Sequence, residues 1–278
     1  MPGSTAAEPT VAARSRLDAE LVRRGLVRSR EQAALAIEAG LVKVSGTVAT
    51  KPSTRVDLAE PLLLLEPETE HFASRGGGKL APALDHFIAY APPLQVAGRC
   101  LDAGASTGGF TDVLLRLGAT HVLAVDVGYG QLAWELRTDE RVTVLDRTNA
   151  RALTPEMVGT PVDLVVADLS FISLRLVLPA LRRVAREAAD FVVLVKPQFE
   201  VGRERVGPGG VVRDAAARVD AVLGVAAAAS GEGLGVRGVI ASRLPGPAGN
   251  VEYFLWLAAG APPVIPAVVA AAVEAGPR

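Results

Sequence analysis

The feature that most constrains this chain is the regular alternation of two kinds of segment between residues 99 and 257. Short runs rich in Val, Leu and Ala, typical of buried strands, occur at residues 99–103, 122–126, 142–145, 163–167, 191–196, 236–242 and 251–257. Segments with helical spacing lie between them at residues 109–117, 131–136, 175–187 and 214–230. Alternation of this kind predicts an α/β fold with a doubly wound, largely parallel sheet.

Composition narrows the class of protein further. Half of the residues are hydrophobic and 21% are charged, as in globular chains, and the formal net charge is −1. Cys100 is the only cysteine, so no internal disulfide or usual zinc site can form, and we expect no bound metal. The N-terminus lacks a signal-peptide segment, and no run of about 20 apolar residues predicts a membrane span. We therefore expect a cytoplasmic protein.

A small basic module precedes the alternating region. Two predicted helices end at Gly25 and Gly40, Ser29 is the predicted N-cap of the second, and two short strands follow around the Ser45-Gly46 turn. Residues 11–56 hold nine Arg and Lys against four Asp and Glu. Such a cluster is typical of a phosphate-binding surface, but a solvated face of alternating charge explains it equally well. Charge alone leaves both interpretations open.

The order of residues in this module favours RNA binding. The segment RLDAELVRRGLVRSREQAALAIEAGLVKVSGTVATKPSTRV resembles the RNA-binding module of small-subunit ribosomal protein four, which also occurs in pseudouridine synthases and tyrosyl-tRNA synthetases. The resemblance implies recognition of structured RNA through its shape and its phosphates. It gives seven candidate RNA contacts: Arg16, Arg23, Arg24, Arg28, Arg30, Lys43 and Lys51.

The first strand of the alternating region runs directly into the segment DAGASTGGF. Glycines here let the chain turn sharply beside a ligand, and ligands of open α/β sheets lie at the carboxyl ends of the strands. The spacing is not the G-x-G-x-x-G of dinucleotide-binding folds, which disfavours a nicotinamide dehydrogenase. It resembles the first motif of class I methyltransferases, which implies S-adenosylmethionine as the cofactor. The candidate cofactor-binding residues in this segment are Asp102, Gly104, Ser106, Thr107, Gly108, Gly109 and Phe110.

Polar side chains also follow the next three strands. Asp126 ends the second strand, where a carboxylate can accept hydrogen bonds from ribose hydroxyls. Asp146 and Asn149 follow the third strand and are candidates for binding the adenine amino group. Asp168 ends the fourth strand and is a further candidate for cofactor contact. With the glycine turn after the first strand, the ends of the first three strands favour a nucleoside cofactor.

Four residues have the chemistry that methylation of a hydroxyl requires, which is to align the alcohol and to direct or remove its proton. They are Lys79 in SRGGGKL, Asp168 in VVADLSF, Lys196 in VVLVKPQFE and Glu252 in GNVEYF. Lys-Asp-Lys-Glu in this order resembles the tetrad of the FtsJ-type ribose 2′-O-methyltransferases. With the N-terminal module and the surrounding motifs, the chain resembles the TlyA family from about Arg16 to Trp256.

This resemblance implies a class I (Rossmann-like) methyltransferase domain whose sheet has seven strands, the last of them antiparallel. It also implies methylation of a cytidine 2′-hydroxyl in ribosomal RNA of the small subunit, the large subunit or both. Lys196 is the leading candidate for the group that accepts or directs the hydroxyl proton, and Asp168 and Glu252 are orienting groups. Because a free lysine is protonated near neutral pH, the sequence leaves open whether Lys196 removes the proton or only steers the hydroxyl.

The expected organisation is a disordered tail at 1–14, an RNA-binding module at 15–60, a linker at 61–78, a methyltransferase domain at 79–260 and a C-terminal tail at 261–278 with a fraying Ala-rich helix. The apolar run at 62–65 is a candidate last strand of the module. We expect ribosomal RNA within ribosomal subunits as the partner, no membrane partner, and a monomer or weak dimer. The alternatives are a non-catalytic RNA-binding or ribosome-assembly factor and a haemolysin-type membrane-active protein; the absence of a long apolar segment argues against the latter.

Overall fold

The computed structural model describes residues 14–65 and 72–277, and the chain divides into two compact units at residues 1–70 and 71–278. Residues 1–13 of the predicted tail and residues 66–71 of the predicted linker lie outside the described residues. Each unit has a hydrophobic core of its own.

The first unit packs two short helices against two small antiparallel sheets. Its elements in chain order are β1 (Arg14–Arg16), α1 (Leu17–Arg23), α2 (Arg30–Glu38), β2 (Val42–Val44), β3 (Thr47–Val48), β4 (Arg55–Asp57) and β5 (Leu62–Leu64). Strand β1 pairs with β4, and β2 lies between β3 and β5. Leu17, Leu21 and Ile37 from the helices form the core together with Val42 and Val56.

Two local predictions for this unit agree with the structure, and one strand was not predicted. Ser29 Oγ accepts a hydrogen bond from Gln32 N at 3.2 Å, so the predicted N-cap is confirmed. Leu62–Leu64 pairs with β2, as the apolar run predicted. Arg14–Arg16 forms a strand that the sequence did not predict, because its residues are all polar and only pairing with β4 orders them.

The second unit is built on a seven-stranded mixed sheet. Its strands are β6 (Arg99–Ala103), β7 (His121–Val125), β8 (Val142–Leu145), β9 (Val162–Ala167), β10 (Ala185–Val195), β11 (Leu234–Ala241) and β12 (Tyr253–Ala259). They lie in the order β11-β12-β10-β9-β6-β7-β8, and β12 runs antiparallel to both of its neighbours. The predicted α/β sheet of seven strands with an antiparallel last strand is confirmed.

Helices cover both faces of this sheet. They are α3 (Gly77–Ile88), α4 (Gly109–Arg116), α5 (Trp134–Arg137), α6 (Pro155–Val158), α7 (Leu178–Val184), α8 (Ala215–Gly231) and α9 (Pro266–Glu274). One core contains residues of α3 and α4 and the other residues of α7, α8 and α9. Neighbouring strand residues such as Val165 and Val166 belong to different cores, as the alternation of side chains along a strand requires. Within the described ranges, no helix is long and apolar enough to cross a membrane.

Two helix predictions are corrected by the structure. The helix predicted over 175–187 covers only Leu178–Val184, and β10 already begins at Ala185, which pairs with Val162. Residues 186–188 of β10 are exposed, so the sequence there shows no strand alternation. The C-terminal helix was predicted to fray but packs against α8 and β11, because Val269 and Val273 are buried.

Candidate active site

Two adjoining cavities lie at the carboxyl ends of the central parallel strands. The larger has a volume of about 490 Å³ and is lined by the ends of β6, β7 and β9 and by the segment after β8. The smaller, of about 230 Å³, also contacts the start of α3 and the end of β10. Gly104, Ser106, Asp168 and Ser170 line both cavities, so the two form one continuous site.

The turn between β6 and α4 lies where the cavities meet. Gly104 and Gly108 have φ angles of +88° and +100°, a backbone conformation that glycine adopts without strain. A Cβ atom at Gly104 would overlap the backbone oxygen of Asp168, so space also requires glycine there. Thr107 and Gly108, both predicted to bind the cofactor, line neither cavity. Four other predicted residues of this segment line at least one cavity: Gly104, Ser106, Gly109 and Phe110.

Two backbone amides hold Asp126 at the end of β7. Its Oδ2 accepts a hydrogen bond from Ser106 N at 2.9 Å, and its Oδ1 accepts one from Gly128 N at 2.7 Å. Each oxygen has a further lone pair, and Asp126 lines the larger cavity. Gln131, which the sequence analysis missed, lines the same cavity, and its Oε1 accepts a hydrogen bond from Ser106 Oγ at 3.3 Å. The carboxylate and the amide together can bind vicinal hydroxyl groups.

Asp146 and Asn149, the two candidate adenine-binding residues after β8, have different environments. Asn149 lines the larger cavity, and its side-chain oxygen accepts a hydrogen bond from Arg151 N at 3.0 Å. Asp146 lies 2.8 Å from Arg137 Nη2, and this guanidinium lowers the pKa of the Asp146 carboxyl. Asp146 does not line the larger cavity. The structure therefore favours Asn149 as the ligand-facing group.

Asp102 lies beneath the glycine turn rather than at the cavity. Its side chain is fully buried, and its Oδ2 accepts a hydrogen bond from Thr111 Oγ1 at 2.7 Å. Its Oδ1 has no hydrogen-bond partner among the described residues. Burial raises the pKa of Asp102 to about 7, and the charges of Asp168 and Asp126 act in the same direction. Asp102 thus joins β6 to α4 and faces neither cavity.

Because the Asp102 carboxyl is buried with a raised pKa, we predict that it makes the free energy of unfolding depend on pH, and that Asp102→Asn removes this contribution. Between about pH 4 and 7 the folded chain keeps a proton that the unfolded chain releases, so wild-type stability falls as pH rises through this window. We expect the free energy of unfolding of the variant, relative to wild type, to increase by up to about 1.4 kcal/mol per pH unit there and to level off above it. Urea unfolding from pH 5 to 8 measures this difference. Parallel profiles for the two proteins would contradict it.

The four candidate catalytic residues form two ion pairs. Lys196 follows β10, and its Nζ lies 2.5 Å from Oδ1 of Asp168, which follows β9. Lys79 is in the first turn of α3, and its Nζ donates a hydrogen bond to Glu252 Oε2 at 2.7 Å. Lys79, Asp168 and Lys196 line the smaller cavity, so two cations and one anion face the same space.

Glu252 lies behind Lys79 rather than in the cavity. Its side chain is fully buried, and its second oxygen has no hydrogen-bond partner among the described residues. A Cβ atom at Gly246 would come within 2.5 Å of that oxygen, so glycine makes room for the carboxylate. Burial of a lysine ammonium requires a charged partner, and Glu252 provides it. Glu252 therefore positions Lys79, whereas Lys79 itself faces the cavity.

Phe171 stands at the mouth of the site. Its side chain is 92% exposed, and its φ angle of +65° is strained for a residue other than glycine. Its ring lies 5.3 Å from that of Phe199, which follows Lys196 in the chain. Strained backbone that exposes a large aromatic ring is typical of a binding site. Phe171 lines the larger cavity.

Comparison with known proteins identifies the family. The family described as FtsJ-like methyltransferase matches residues 72–259, more than half of the chain. A Mycobacterium tuberculosis protein named 16S/23S rRNA (cytidine-2′-O)-methyltransferase TlyA is 60% identical over 248 residues, which cover 89% of this chain and 91% of the relative. The chain belongs to the TlyA family of FtsJ-like methyltransferases. The predicted family and enzyme class are confirmed.

Two other proteins that are similar to this chain carry a different name. Hemolysin A of Brachyspira hyodysenteriae is 34% identical to this chain over 86% of it and 97% of the relative. A solved structure from Streptococcus thermophilus, named as a hemolysin, is 38% identical, with a TM-score of 0.70 and 94% of each chain covered. The similarity to this structure spans both regions of the chain that the family models match.

The N-terminal unit of this TlyA-family chain matches the S4 domain over residues 15–60. Asp18 accepts hydrogen bonds from Arg16 at 2.9 Å and Arg30 at 3.0 Å, and these contacts hold the pKa of Asp18 at about 2. Arg16 and Arg30 line a concave surface with Arg14 and Arg55. One ionised carboxylate thus fixes two guanidiniums on a surface of four arginines.

The remaining predicted RNA contacts differ in their surroundings. Glu20 accepts hydrogen bonds from Arg23 at 2.6 Å and Arg24 at 2.7 Å. Arg24 also donates to the backbone oxygens of Leu58 and Glu60, both at 2.8 Å, so it ties α1 to the β4–β5 turn. The structure therefore gives Arg24 an internal role. Three further candidates lie partly or fully at the surface of the unit: Arg28, Lys43 and Lys51.

Proposed function

We propose that this chain methylates the 2′-hydroxyl of a cytidine ribose in ribosomal RNA, with S-adenosylmethionine as the methyl donor. The observation that carries the proposal is the convergence of Lys79, Asp168 and Lys196 on a small cavity that opens into a ligand-sized one. We infer the substrate from the M. tuberculosis relative, whose name specifies cytidine 2′-O-methylation of 16S and 23S rRNA.

The residues of the larger cavity fit S-adenosylmethionine. Gly104 lets a ligand lie against the backbone, Asp126 offers acceptors to ribose hydroxyls, and Asn149 offers an amide to adenine. When bound, this cofactor supplies an electrophilic methyl group on a positively charged sulfur. Asp168 lies where the two cavities join and would offer a negative charge to that cation.

The smaller cavity supplies the groups that act on the target hydroxyl. Transfer of that methyl group to the target oxygen would leave the electrons of the broken S–CH₃ bond on sulfur and would require the hydroxyl to lose its proton. A proton of Lys196 Nζ first passes to Asp168, which frees a lone pair on the nitrogen to accept the hydroxyl proton, so the pair takes up one proton as a unit. Lys79, held by Glu252, adds a positive charge that stabilises the oxygen while its proton leaves.

Phe171 and the arginine surface provide the contacts that an RNA substrate needs. An unpaired base can stack on an exposed aromatic ring, and Phe171 presents such a ring beside Asp168. Arg16 and Arg30, fixed by Asp18, offer bidentate donors to backbone phosphates. Recognition of phosphates by the N-terminal unit and of a base by Phe171 is consistent with a folded RNA that exposes one nucleotide.

The test is transfer of labelled methyl from S-adenosylmethionine to purified, unmethylated small and large ribosomal subunits. We expect label on the 2′-oxygen of a cytidine, located by nuclease digestion and mass spectrometry, on one or both subunits. Label on a base would overturn the ribose assignment. Absence of label on both subunits, from folded protein that binds the cofactor, would overturn the substrate and favour a non-catalytic assembly factor.

A further inference from the structure

We propose that Ser170 is a positioning residue for Lys196, a role that rests on the proposed function. Ser170 Oγ accepts a hydrogen bond from Lys196 Nζ at 2.9 Å. Ser170 is also one of the four residues that line both cavities, so this contact lies where the methyl donor and its acceptor would meet. This serine is not among the site residues predicted from the sequence.

The number of groups around Lys196 Nζ explains why a second contact matters. The nitrogen of a lysine side chain has three directions for hydrogen bonds besides its bond to carbon. Asp168 Oδ1 lies 2.5 Å from the nitrogen in an ion pair, and Ser170 Oγ accepts a hydrogen bond from it. The ion pair and the hydrogen bond together limit where the nitrogen can lie and how it rotates, beside the smaller cavity that Lys196 lines. A single contact to Asp168 would leave the nitrogen free to rotate about its bond to carbon.

The segment that carries Ser170 is held in place before any substrate binds. Glu200 is buried and follows Lys196 in the chain. It accepts hydrogen bonds from Ser173 Oγ at 2.5 Å and from Leu174 N at 2.7 Å. The Arg175 side chain donates to the Glu200 backbone oxygen at 2.7 Å. The chain after β9 is thus joined to the chain after β10 at both Ser170 and residues 173–175.

Phe171 lies between Ser170 and the residues that contact Glu200, and its backbone is left-handed. Phe171 has a φ angle of +65°, and its ring is exposed, whereas the Ser170 side chain contacts Lys196. The strained turn at Phe171 therefore lets one segment direct a hydroxyl to the lysine and an aromatic ring to solvent. Such strain persists only where surrounding contacts hold it, and the Glu200 contacts do so.

Replacing Ser170 with alanine should therefore slow the methyl-transfer step specifically. We expect kcat to fall by about 10- to 100-fold, because a small misplacement of a catalytic group has an effect of this size. The KM for ribosomal subunits and the dissociation constant of S-adenosylmethionine should stay within about twofold, since Ser170→Ala removes no charge and adds no bulk. Ser170→Thr, which keeps the hydroxyl, should restore most of kcat. Ser230→Ala, at the exposed end of α8, is the control for loss of a serine hydroxyl elsewhere.

The outcomes separate this inference from the proposed function. Absence of methyl transfer by the wild-type chain would overturn the proposed function itself. With an active wild type, unchanged kcat in Ser170→Ala would overturn the positioning role. Equal losses in Ser170→Ala and Ser170→Thr, or a loss confined to KM or cofactor binding, would also overturn it, because packing rather than a hydrogen bond to Lys196 would then explain the effect.

Discussion

Replacing Lys196 with methionine is expected to lower kcat for methyl transfer by about 10²- to 10⁴-fold, the usual contribution of a positioned acid or base. Methionine keeps much of the length and apolar volume of the side chain but removes the nitrogen that contacts Asp168 and Ser170. Single-turnover methylation of ribosomal subunits measures the rate, and calorimetry with S-adenosylmethionine checks that the cofactor still binds.

Lys196→Arg separates the two roles that the sequence left open for this lysine. Arginine keeps the positive charge but does not give up a proton near neutral pH. If Lys196 and Asp168 take up the hydroxyl proton as a unit, the arginine variant should be about as inactive as the methionine variant. Substantial activity in Lys196→Arg would instead show that a positive charge which steers the hydroxyl is sufficient. A methionine variant with kcat within tenfold of wild type would remove Lys196 from the chemistry altogether.

The strand ends of this chain could be predicted from sequence because parallel strands bring their carboxyl ends to one edge. Asp126, Asp168 and Lys196 each follow a strand that was recognisable as an apolar run, and the structure places all three at the same edge. The ion pair between Asp168 and Lys196 depends on β9 and β10 being neighbours. Most of what could be predicted about the site therefore follows from the order of the strands in the doubly wound sheet.

Side-chain direction was less predictable. Asp102 belongs to the same motif as Gly104, but alternation along β6 turns it, like Cys100, towards the face covered by α4. The strand preceding Lys196 was placed correctly, but its first residues were assigned to a helix because exposed polar residues at a strand end carry no alternating pattern. Ser170 and Gln131 were missed because a hydroxyl or an amide shows its role only through the groups that it contacts.

The second large effect is expected at Gly104, where alanine should weaken binding of S-adenosylmethionine by at least about 100-fold, or about 2.7 kcal/mol. A Cβ atom there would overlap the backbone oxygen of Asp168 and approach the Leu169 side chain. Since backbone cannot move aside as a side-chain end can, either the glycine turn or the Asp168 segment must shift, and both line the two cavities. Calorimetry with the cofactor measures the loss, and urea unfolding measures the accompanying change in stability.

Gly118→Ala is the matched control for this variant. Gly118 has a φ angle of +93°, close to the +88° of Gly104, but a Cβ atom there would have no neighbour within 4 Å. Both alanines incur the strain of the left-handed backbone, about 1–2 kcal/mol, and only Gly104→Ala adds the collision at the cavity. We therefore expect backbone strain to lower the free energy of unfolding by a similar amount in both variants, and cofactor binding to be lost only in Gly104→Ala. Equal cofactor affinity in Gly104→Ala and wild type would place the cofactor outside the larger cavity, whereas equal losses in both variants would attribute the effect to strain alone.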